Sequence, residues 1–154
     1  MSLEIKHFLL GKYGSFSDRR IKDPNKGNLF IIDDRTQRDI GSDKQLYGYF
    51  CQIYAEIESN ESVKVSLFGN IPISDGVLDW ISSNPCQFQE TNYDSKLIFT
   101  VTKGSQQLLL TLAENIEAIV KPGKRYDTAN YKYVCPRIAK SLKTFEQYLS
   151  EFWN

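Results

Sequence analysis

The chain is poor in the residues on which most catalytic and metal sites depend. In 154 residues it has one histidine, His7, and three cysteines, Cys51, Cys86 and Cys135. The cysteines are scattered and odd in number, with no CxxC pair, which fits neither a zinc finger nor a disulfide framework. No HExxH occurs, so no metal site is expected. A Ser-His-Asp or Cys-His catalyst would have to use His7, which sits on the apolar parity of a strand-like stretch and has no GxSxG elbow to serve. Phosphate-cradling loops are absent too. Gly11-Lys12 and Gly123-Lys124 lack the earlier glycine of a GxxxxGK[ST] loop, whose places are taken by Lys6 and Ala118, and there is no GxGxxG. No cofactor is expected. There is also no apolar run of 18 residues to cross a membrane, and Met1–His7 lacks the basic start and apolar stretch of a secretory signal. With free thiols, this places the expected home of the protein in the reducing cytoplasm.

What is present describes a globular protein. Hydrophobic residues make up 41% and charged residues 25%, which excludes a disordered or fibrous chain. The length is enough to bury a core without metal or disulfide, and no repeat or Gly/Ser linker divides it, so residues 1–154 read as one domain. The net charge of zero hides a segregation. Residues 1–46 carry nine basic and seven acidic side chains, 47–119 carry three and nine, and 120–154 carry seven and three. If these stretches stay apart in space, the molecule has a basic face and an acidic one.

Strand patterns fill the first two thirds. Leu3, Ile5, His7 and Leu9 alternate with polar residues, and Leu29–Ile32 is a short apolar run ending at Asp33-Asp34. The segment Gly11–Asn28 between them reads as a long loop, with a turn signal at Asp23-Pro24-Asn25-Lys26-Gly27. From Tyr49 to Glu58, Cys51, Ile53, Ala55 and Ile57 share one face; Ser59–Ser62 turns, and Val63, Val65 and Leu67 continue the alternation as a hairpin with one wet face. Ser74 can cap a short helix carrying Val77, Leu78 and Ile81, with Trp80 beside them, which Asn84-Pro85 stops. Leu97–Val101 is a strand, turned at Lys103-Gly104-Ser105. The segment after it fits two periods: a returning strand to about Leu112, which is favoured, with a helical turn through Glu114–Val120, or a helix starting after Ser105. Finally Ile138, Leu142, Phe145, Leu149 and Phe152 make one apolar stripe of a helix with Pro136 at its first position. The expected fold is α+β: a mainly antiparallel sheet of about six strands with a long C-terminal helix packed on one face.

Two clusters of polar residues carry possible chemistry. Asp33 and Asp34 follow a strand, where nuclease metal ligands often sit. However, adjacent strand residues face opposite ways, and the Glu–Lys pairs (Glu61 with Lys64, Glu4 with Lys6) have the wrong spacing or order for a D…ExK pattern. The plain reading is a solvated turn near Arg35. The other cluster is basic and aromatic: Lys121, Lys124, Arg125, Tyr126, Tyr131, Lys132 and Tyr133 lead into a helix opening with Arg137 and Lys140. Cations at a helix start oppose its dipole unless an anion joins them, so Lys121, Lys124, Arg125, Arg137 and Lys140 form a candidate anion-binding site. The leading expectation is a non-enzymatic binding or regulatory protein with a protein partner, motivated by Tyr54 on the wet strand face, the acidic middle and the aromatic Phe152-Trp153. The alternative is a weak anion or nucleic-acid binder using 121–140, which a sequence pI near 6.6 disfavours for duplex DNA. A metal-dependent nuclease ranks third. Oligomeric state has no signal.

Overall fold

A computed structural model of the chain describes Leu3 and residues 29–35, 50–69, 71–91, 95–119 and 131–154. Five strands and three helices occur among the described residues. They run β1 (Leu29–Arg35), β2 (Phe50–Ser59), β3 (Ser62–Gly69), α1 (Asp75–Ser83), β4 (Gln87–Glu90), β5 (Ser95–Thr102), α2 (Gln107–Glu117) and α3 (Tyr131–Phe152). The strands form one antiparallel sheet in the order β1-β2-β3-β5-β4. The class is α+β, as the patterning implies.

The alternation in the sequence becomes two faces of that sheet. Three cross-strand rows bury one face: Ile53–Leu67–Leu97, Ala55–Val65–Phe99 and Ile57–Val63–Val101. Because successive side chains point oppositely, Glu56, Lys64, Phe68, Lys96 and Thr100 are exposed on the other face. The hairpin joining β2 and β3 turns at Asn60-Glu61, and its register slips between Ile57 and Ser59, so Glu58 is the extra residue of a β-bulge. Its carboxylate accepts from the Ser62 hydroxyl at 3.2 Å.

The helices cover the apolar face. In α1, the Ser74 side chain accepts the Val77 N–H at 3.2 Å, and the extended backbone of Asn84 ahead of Pro85 ends the helix. Val77 and Trp80 are buried, and the Trp80 ring meets Phe99 edge-on with centroids 5.1 Å apart. Leu78, expected in the apolar set, is instead exposed, because the helix points it away from α2 and the sheet. Trp80 Nε1 donates to Thr111 Oγ1 at 2.9 Å, which fixes α1 against α2.

Residues 107–117 correct the expected returning strand. The segment is the helix α2, with Leu109, Leu112, Ala113 and Ile116 on its buried side. Leucine is a strong helix former, and this spacing places all four on one face against α1 and α3, which a strand would divide between two faces. The helix has no side-chain N-cap, since Ser105 is engaged with Thr102. The short strand β4 (Gln-Phe-Gln-Glu) has too little apolar content to stand out in the sequence and is held by its pairing with β5. The six-strand expectation is corrected to five among the described residues. Of the expected strand Leu3–Leu9, only Leu3 is described, and it is buried. The expected loop Gly11–Asn28 lies outside the described residues.

The C-terminal helix α3 buries its apolar stripe, with Ile138, Leu142, Phe145 and Leu149 essentially inaccessible. It contacts α2 and reaches β1. Its start is corrected: α3 begins at Tyr131, so Pro136 is an internal residue. The apolar stripe continues upstream through buried Cys135, and that packing outweighs the one backbone hydrogen bond that Pro136 cannot donate. A 2.6 Å ion pair, Lys143–Glu117, links α3 to α2 at the surface, where such pairs contribute little.

Candidate binding groove

The described residues cover only part of the positions singled out in the sequence. Lys121, Lys124 and Arg125 lie outside the described residues, as do His7 and the side chain of Arg137. Lys140 is exposed. With α3 starting at Tyr131, Arg137 and Lys140 are its seventh and tenth residues, and the free N–H groups of the first turn belong to residues 131–134. Asp33 and Asp34 are also relocated. β1 extends through Arg35, with Asp33 opposite Gln52 and Asp34 opposite Cys51, because pairing with β2 carries the strand past its apolar run. The side chains of Cys51 and Tyr54 lie outside the described set, although both residues belong to β2. Trp153, expected at a contact surface, is a core residue only 6% exposed, and Phe152 is half-buried beside it. Among the described residues, no three of His, Cys, Asp and Glu converge as metal ligands would.

Among the described residues, a concavity lies where β5 loses its neighbour. β4 pairs with β5 only from Ser95 to Ile98, ending at Gln87↔Ile98. Beyond that point the chain ahead of β4 peels away through Cys86 and Pro85, stopped there by the end of α1. A groove of about 620 Å³ opens between this connector, the edge of β5 and the start of α2. This lies within the range of ligand sites, roughly 300–1,000 Å³. Ile98, Phe99 and Leu108 supply apolar lining; Thr100, Thr102 and Ser105 supply hydroxyls; Glu58 and Lys64 bring opposite charges from the bulge and from β3. Bulges re-aim side chains, and without the extra residue at Glu58 this carboxylate would keep the strict alternation of β2.

Cys86 is the nucleophilic atom type on this wall, and the structure holds it as a thiol. Burial pushes its titration above the ordinary value of 9.0. Its Sγ–H donates to the Ile81 carbonyl at 3.4 Å. The thiolate is the reactive form, so neither effect prepares Cys86 for attack on a substrate. The groove was not legible in the sequence, because it arises from where two strands stop pairing. The one local signal was Asn84-Pro85, read as a helix stop and not as the opening of a wall. No protein-family model, no curated protein and no solved structure matches this chain.

Proposed function

We propose that this chain is a non-enzymatic binding protein of the cytoplasm whose groove beside β5 receives a segment of a protein partner. The observation that carries the reading is the groove itself, a concavity of about 620 Å³ with apolar walls and a hydroxyl-rich rim. Its mixed lining suits a peptide better than a purely apolar or a highly charged ligand. The thiol state of Cys86, the one cysteine in the lining, fits a binding role. The test is to pan a random-peptide display library on the purified protein and measure recovered peptides against Ile98→Glu. This substitution places a charge on the groove wall at a half-buried position of the sheet's open face. Peptides whose affinity falls in a folded Ile98→Glu variant support the groove. A library that yields no binder, or binders indifferent to Ile98→Glu, rejects it.

A further inference from the structure

Resting on that reading of the groove, we infer that its ligand is an extended peptide segment of a partner protein that adds to the sheet as a strand, hydrogen-bonding its main chain to Thr100. Two bonds at the end of β5 establish which way its peptide groups point. Lys103 N–H donates toward β3, to the Glu61 carbonyl at 2.9 Å. The preceding Thr102 turns the other way: its N–H goes to Ser105 Oγ at 3.0 Å, and its carbonyl accepts the Ser105 N–H at 2.8 Å. Peptide groups alternate sides along a strand, so those of Thr100 and Ile98 also point away from β3. At Ile98 that side is filled by Gln87 of β4. At Thr100 no described strand stands alongside, and the residue that continues the β4 line, Pro85, has no N–H to give.

The Thr100 N–H and C=O therefore face the groove, which has Thr100 in its lining. Such an edge is a template for strand addition, in which main-chain bonds give affinity and alternate side chains give specificity. The neighbouring groups state the ligand's chemistry. Residues of the added strand on the core side would meet Phe99 and Leu108 and should be apolar. Those on the open side would run beside Ile98, Thr100 and Thr102, with Glu58 and Lys64 within the same groove, and should be polar or carry charge of either sign. An alternating apolar–polar segment satisfies both. Ser105 closes the far end by occupying the Thr102 groups, so among the described residues Thr100 is the one free rung of this edge.

The experiment uses the display-selected peptides and three comparisons. Thr100→Pro removes the N–H aimed at the groove; this N–H makes no bond to β3, and proline is accepted at strand edges. Binding should weaken by roughly tenfold or more, the loss expected for one or two hydrogen bonds. Selected peptides carrying single backbone N-methyl groups should lose affinity at alternate positions, a period that needs no variant protein to fold. The Thr100 amide should gain hydrogen-exchange protection when peptide binds. Peptides that depend on Ile98 but ignore both Thr100→Pro and N-methylation would leave the groove reading standing and overturn strand addition. Concentration-dependent dimerisation abolished by Thr100→Pro would make a second copy the occupant and overturn the foreign peptide.

Discussion

Trp153 Nε1 donates to the main-chain carbonyl of Asn60 at 2.6 Å, joining residues 93 apart in sequence. The Asn60 side chain accepts the Leu3 N–H at 3.1 Å, so the β2–β3 turn gathers residue 3 and the end of α3 at one corner. The corner separates two contributions to stability. Trp153→Phe keeps most of the buried ring and gives the exposed Asn60 carbonyl to water, costing about 1 kcal/mol. Trp153→Ala empties the site and should cost about 3–5 kcal/mol. Chemical denaturation midpoints of the two variants check the difference, and equal losses would refute it.

The α3 stripe and the misread Leu78 form a natural pair. Leu142 is fully buried, so Leu142→Ala should destabilise by about 2–5 kcal/mol. Leu78 is 40% exposed, and Leu78→Ala should shift stability by no more than about 0.5 kcal/mol. The comparison is made by urea denaturation of both variants beside the wild type.

Gly104 tests the turn that feeds α2. Its φ is +95°, and a Cβ there would meet nothing within 4 Å. Gly104→Ala therefore isolates backbone strain from crowding. A cost of about 1–2 kcal/mol is expected. An unchanged thermal midpoint would mean that the turn relaxes without loss.

Cys135 gives an alkaline prediction. Burial raises its thiol from 9.0 to about 12. The native state then keeps a proton that the unfolded chain releases, so this group's contribution declines as pH rises from about 9 toward 12 and is level below that window. Denaturation midpoints followed across this range should fall less steeply in Cys135→Ala than in wild type. Parallel curves would show that Cys135 does not govern the slope.

Local pattern was readable where one face of an element alone decides its structure. The β2–β3 hairpin, the Ser74 cap, the Asn84-Pro85 stop and the α3 stripe all follow from side-chain period or from backbone geometry within a few residues. The failures share a cause: each was decided by distant partners. Leu108–Leu112 suits either period, and contact with α1 and α3 selects the helix. Asp33 and Asp34 look like a turn until β2 pairs with them. Trp153 looks like an exposed tail until the Asn60 carbonyl accepts its N–H. Pro136 looks like a helix start because proline prefers that place, yet upstream packing at Cys135 carries the helix past it. The groove is an extreme case, being the space left when β4 ends four residues short of the end of β5.

The proline within α3 also divides that helix kinetically. Without an N–H at Pro136, the carbonyl of Lys132 loses its intrahelical donor, and the turn ahead of Pro136 is held by fewer bonds than the body behind it. Amides before and after Pro136 should therefore exchange as separate units, the first opening while the Ile138–Leu149 stripe stays closed. Cys135 stands at that junction, 1% exposed and locked as a thiol. Its alkylation should then report the fraying of a single helical turn and run faster than the unfolding of the whole protein.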